Sequence, residues 1–98
     1  MTLEIKRSAK ETTVKLVGRL DRFTSPALER TIDKIANDTS NVVLDLSGVE
    51  QVSEIGVRAL LSVHDKMSAK GSLRLTGVCK SVMDTLRVNG CADILAIG

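Results

Sequence analysis

The sequence predicts a single α/β domain, a mixed β-sheet of four to five strands packed against helices in the order ββαβαβαβ. Three observations carry this expectation. Period-two and period-3.6 apolar patterns alternate along the chain, the signature of strands linked through helices. Val42-Val43-Leu44-Asp45-Leu46 is almost continuously apolar, which suits a central, parallel strand covered on both faces. Phe23 is the only aromatic residue, so the core has to be built from Val, Leu, Ile, Ala and Met. At 98 residues the chain, 1–98, holds one core and one domain.

The elements follow in order. Leu3 and Ile5 alternate with Glu4 and Lys6 as a half-buried strand. Ser8 to Glu11 turns the chain, and Thr12 to Val17 is a second, β-branched strand. So short a connection makes an antiparallel hairpin at a sheet edge. Gly18 to Phe23 reads as a loop. Thr24-Ser25-Pro26 starts a helix, a capping hydroxyl followed by proline in the first turn. Leu28, Ile32 and Ile35 then form one apolar stripe. After the strand at Val42–Leu46, Ser47-Gly48 is expected to turn, and a second helix begins near Ser53, with Gly71 as its C-terminal cap. Leu73 and Leu75 mark the next strand. Ser81 is expected to cap a third helix, with Val82, Met83 and Leu86 facing inward and Asn89-Gly90 at its end. Ile94 to Ile97 is a short final strand or tail.

Composition narrows the function. Fourteen basic and twelve acidic residues are interspersed, for a net charge of +2. No face is expected to gather the Lys and Arg that a nucleic acid needs, and one aromatic residue makes no stacking platform. There is no apolar run of 18 residues, so direct membrane insertion is not expected. The N-terminus has no apolar signal-peptide core, which points to a cytoplasmic protein. Cys79 and Cys91 form no C-x-x-C pair and there is a single histidine, so no zinc site is expected and the thiols read as free. No cofactor is called for. Phosphate-binding glycine motifs and the G-x-S-x-G nucleophile turn are missing, and His64 lies mid-helix among Leu61, Asp65 and Met67. Catalysis is poorly supported, and an enzyme is a distant third reading.

One stretch draws attention, Val52-Ser53-Glu54-Ile55-Gly56-Val57-Arg58. Strand ends that feed helices are where α/β proteins build their sites. Ser53 is a good N-cap, while Gly56 costs about 1 kcal/mol against alanine inside a helix, so a close backbone approach is expected there. If the second and third strands are parallel, Asp21, Asp45 and the Ser53-Glu54 helix start share one sheet edge. Spacing alone favours the plainer account, in which Asp21 caps a turn and Glu54 complements the helix dipole.

Read together, these pieces resemble the STAS domains, and among them the bacterial anti-sigma factor antagonists. Gly18-x-Leu20-Asp21-x-x-Thr24-x-x-x-Leu28 is similar to the family's G-x-L-D-x-x-T-x-x-x-L element. Val42 to Val49 resembles its central strand and the segment after it. Val52 to Val57 lies where the family has D-S-S-G-L or S-S-A-G-L after an apolar residue. Gly71-x-Leu73-x-Leu75 and Leu86-x-x-x-Gly90 fit the strand and helix that follow.

The resemblance implies a partner switch. Such an antagonist binds an anti-sigma factor that is also a GHKL-type serine kinase, the kinase phosphorylates a serine of the motif, and a PP2C-type phosphatase restores binding. It implies a regulatory position at Glu54, with Ser53 beside it. Partner-binding residues would be Asp21, Thr24, Ser25, Asp45, Ile55, Gly56, Val57 and Arg58. Here Glu54 stands where the phosphorylatable serine is expected, so no kinase can switch the protein at that residue. Glu54 either imitates phosphoserine and holds a non-binding state, or belongs to a constitutive binder whose partner has adapted. Ser53, committed to capping, is not expected to be phosphorylated. The alternative is a STAS subunit of a lipid-transport ABC complex that braces its partner without phosphorylation.

Overall fold

The computed structural model describes residues 2–97. A five-stranded sheet in the order β1-β2-β3-β4-β5 is built from β1 (Thr2–Arg7), β2 (Thr12–Leu20), β3 (Asn41–Val52), β4 (Ser72–Thr76) and β5 (Ala96–Ile97). β1 and β2 form the expected antiparallel hairpin, closed by Ser8 and Glu11 through backbone and side-chain hydrogen bonds. The remaining pairs are parallel. α1 (Ser25–Ile35), α2 (Glu54–Ser68) and α3 (Lys80–Val88) make the crossovers. Strand order follows chain order, so right-handed crossovers lay all three helices on one face.

Beneath them lies a purely aliphatic core. Leu28, Ile32 and Ile35 of α1 and Leu60, Val63 and Met67 of α2 meet Val14, Leu44 and Leu75 of the sheet. The stripe expected for α1 is therefore the buried one. Val82 and Leu86 of α3 are buried as expected, while Met83 is half-buried. Cys91 is buried, Cys79 is half-buried, and both are free.

Among the described residues the opposite face carries no helix, which corrects the expectation that β3 is covered on both sides. Val43 is only 7% exposed yet lies outside the helix-side core. Its cover is the reach of long polar side chains: Arg74 of β4 pairs with Glu11 at 3.8 Å across β3. Glu4, Lys15 and Asp45, neighbours in register, line the same open face.

β2 and β3 are longer than the sequence suggested. Ser47-Gly48 does not turn and Gly18-Arg19-Leu20 is not loop; both strands run on in parallel as far as Leu20 opposite Val52. Two register shifts let β3 spend seven steps from Asp45 to Val52 while β2 spends five from Lys15 to Leu20. Such bulges absorb the polar Ser47 and Glu50 while Val49 and Val52 stay buried.

Helix ends differ in detail. Thr24 occupies the N-cap of α1 without a capping bond. Cys79, not Ser81, precedes α3, and the Ser81 hydroxyl donates to the Glu50 carbonyl at 3.0 Å. α2 ends at Ser68, and the Gly71 amide donates to the Met67 carbonyl at 2.7 Å just beyond it. The last strand is shorter than Ile94 to Ile97, since Ile94 is exposed and only Ala96 and Ile97 pair with β4.

Candidate functional site

The extension of β2 and β3 delivers two chain segments side by side at the C-terminal edge of the parallel strands. The first is the Asp21-Arg22-Phe23-Thr24 turn. Asp21 Oδ1 accepts the amides of Phe23 (2.9 Å) and Thr24 (3.2 Å). The Thr24 hydroxyl donates to the Arg19 carbonyl at 2.7 Å and accepts the Asp21 amide at 3.0 Å. This bond is why Thr24 makes no cap: its hydroxyl already closes the turn. Partial burial pushes the Asp21 carboxyl up, but the Phe23 and Thr24 amides, the Thr24 hydroxyl and Arg19 together outweigh it and hold it below the usual carboxylate range.

The second segment is the start of α2. Ser53 has extended backbone and its Oγ accepts the Gly56 amide at 3.1 Å, the expected N-cap. The Ser53 amide donates to the Leu20 carbonyl at 2.9 Å and so ties α2 to the end of β2. Gly56 explains itself here. A Cβ on it would lie 2.3 Å from the Leu20 carbonyl oxygen, so only glycine lets the helix approach β2 this closely.

Between the two segments is a shallow depression of about 400 Å³, lined by Asp21, Arg22, Phe23, Ser53, Glu54 and Ile55. Phe23 is 77% exposed and Ile55 45%, an apolar pair at the rim. The Arg22 guanidinium stacks on the Phe23 ring, 4.7 Å from its centre. The Glu54 side chain is 71% exposed, and its Oε1 accepts from Arg58 Nη2 at 3.2 Å, one helical turn on. A neighbouring groove of about 410 Å³ runs from Arg19, Asp21 and Ser53 to Ser81 and Thr85 of α3.

Of the residues expected to meet a partner, Ser53, Glu54, Ile55 and Arg58 are exposed together, with the Asp21 and Thr24 turn beside them. The structure corrects the placement of four others. Ser25, Gly56 and Val57 are buried and cannot present a side chain to a partner; Gly56 serves packing within the domain. Asp45 is not at this edge. It is opposite Lys15 on the open face, seven residues before Val52, roughly 23 Å along an extended strand. Its carboxyl is held low by the Ser47 amide and hydroxyl, with Lys15 and Lys6 adding to the effect. The structure adds Arg22 and Phe23 to this surface. The one aromatic residue of an otherwise aliphatic chain, in a polar stretch, was the available signal.

His64 is partly buried on α2 with Asp65 Oδ1 3.6 Å from its Nδ1, and no hydroxyl bonds its ring among the described residues. Among those residues no three His, Cys, Asp or Glu side chains gather as a metal site.

With strand order, helix start and edge defined, comparison with known proteins gives a consistent answer. The chain belongs to the STAS domain family, whose model described as "Mlab, STAS domain" matches residues 3–96. An anti-sigma factor antagonist from Mycobacterium paratuberculosis has the same fold, with a TM-score of 0.87 at 22% identity over 98% of this chain and 83% of its own. RsbS from Moorella thermoacetica, carrying a serine-to-glutamate substitution, superposes with a TM-score of 0.81 at 23% identity over 100% and 86%. A sulfate transporter family protein from Wolinella succinogenes gives 0.81 at 19% identity over 91% and 74%. No curated protein sequence matches significantly.

Proposed function

We propose that the chain is a cytoplasmic, non-catalytic regulatory module of the anti-sigma factor antagonist type. It docks a GHKL-type serine-kinase anti-sigma factor on the surface formed by Phe23, Ser53, Glu54, Ile55 and Arg58. The observation that carries this reading is the exposed carboxylate of Glu54 at the first residue of α2, between two exposed apolar side chains at a STAS sheet edge. An apolar anchor with a charged rim is what a protein partner uses. No helix among the described residues is long and apolar enough to cross a membrane.

The Glu54–Arg58 pair favours a constitutive binder over a locked phosphate mimic. Phosphoserine would bring about −1.5 to −2 charge, whereas glutamate brings −1 and Arg58 balances it within one turn. The test is binding of wild type, Glu54→Ser and Glu54→Ala to the kinase encoded nearest this gene, with and without ATP. Wild type should bind under both conditions, both variants should bind as well as wild type without ATP, and only Glu54→Ser should be phosphorylated and released. A clear gain in affinity from both substitutions would establish the locked mimic instead. Phosphate uptake by wild type at Ser53 would show a switch still in place.

A second reading, a STAS subunit bracing a lipid-transport ABC complex through the same edge, draws on the STAS fold that the chain shares with a sulfate transporter family protein. Co-purification with a permease and its ATPase, without kinase binding, would select it.

A further inference from the structure

Away from the partner surface, the outer edge of β1 is the longer of the two margins of the sheet, the other being the two-residue β5. β1 pairs with β2 on one side only, over six residues, Thr2 to Arg7. Free edges of this length are ordinarily blunted by proline, a bulge, charged side chains or a covering segment. In β1 the register against β2 is unbroken and there is no proline; its charges are Glu4, Lys6 and Arg7, with Glu4 and Lys6 of opposite sign two residues apart on the open face. Ile5, on the helix-side face, is 45% exposed at this edge. Arg7 shares that face, where it pairs with Asp38 at 3.1 Å.

We propose that β1 pairs with β1 of a second copy of this chain, antiparallel and centred on Ile5, to give a two-fold dimer with one continuous sheet. The charge order selects both the occupant and the register. Centred on Ile5, each Glu4 faces Lys6 of the other copy, twice, and no like charges oppose one another. Ile5 meets its own equivalent, and the stem of Arg7 covers Leu3 across the two-fold axis. Opposite charges directly across an antiparallel pair are stabilising and like charges destabilising. A symmetric, self-complementary contact of this kind closes and does not propagate. The Phe23 and Ile55 surfaces stay uncovered and point in opposite directions along the sheet.

The test is sedimentation of the full chain in five forms: wild type, Glu4→Lys, Lys6→Glu, the double swap, and an equimolar mixture of the two single variants. Wild type and the double swap should dimerise. Each single swap sets two like-charged pairs against each other and should weaken dimerisation about tenfold or more. The mixture should recover it, because the two lysines of one variant's strand then face the two glutamates of the other's. Ile5→Cys gives an independent measure: under mild oxidation it should cross-link to itself, while Leu3→Cys, opposite Arg7, should not. A wild type that stays monomeric at the highest concentration reached, single swaps that dimerise like wild type, or equal cross-linking at positions 3 and 5 would overturn the proposal. Capture of β1 by a different protein with no self-association would do the same.

Discussion

Phe23 and Gly56 are near neighbours at one edge and answer to different constraints. Phe23 is held out into solvent by a turn whose own polar atoms are satisfied by Asp21 and Thr24. Phe23→Ser should change unfolding free energy by no more than about 0.5 kcal/mol. It should weaken partner binding by about 2 kcal/mol or more, read by titration calorimetry against the kinase. Gly56→Ala should do the reverse and strike stability first, because the added methyl meets the backbone oxygen of Leu20, which cannot rotate aside. A loss of about 2 kcal/mol or more in urea unfolding is expected, and a loss under about 0.5 kcal/mol would refute the close-approach account. The anomaly at Gly56 was visible in the sequence, since a helix start prefers alanine. Its cause was not, because the strand it touches lies more than thirty residues away.

Among the elements, β3 governs the position of the site. Val42 to Asp45 are paired on both sides, and beyond Asp45 β3 pairs only with β2, so Ser53 is carried well past the end of β4. Hydrogen exchange should follow that pattern. Amides of Val42 to Leu44 should exchange most slowly, with those of Ala96 and Ile97, in a two-residue edge strand, among the fastest. Equal protection of β5 and β3 would contradict the pairing. The apolar stripes of the helices and the hairpin could be read directly, because burial on one face writes a period into the sequence. The length of β3 could not. Ser47-Gly48 has the chemistry of a turn, and a bulge uses the same residues. The N-caps divide in the same way. Ser53 has no competing acceptor and caps, whereas the hydroxyls of Thr24 and Ser81 are drawn to the carbonyls of Arg19 and Glu50, which only the folded chain supplies.

At the scale of the whole molecule, two carboxylates connect pH to stability. Asp21 and Asp45 both lie below their ordinary value, by the hydrogen bonds they accept, so the folded state binds protons less readily than the unfolded chain. Their contribution is complete above the unfolded carboxylate pKa of about 3.9 and fades as pH falls through the lower folded values. Stability should therefore be flat near neutrality and fall below about pH 4. Asp45→Asn should flatten that decline in urea unfolding followed from pH 6 to 3. An unchanged slope would mean that other groups carry the acid response.

The Ser53 amide and the Leu20 carbonyl join the two segments that flank the Phe23–Ile55 depression, and they do so in the unbound chain. A surface fastened in advance gives up little disorder on meeting its partner. Association then resembles the meeting of two finished shapes, and specificity has to be written in side chains. A single replacement at position 54 can thus change how the protein is controlled while leaving the scaffold around it undisturbed.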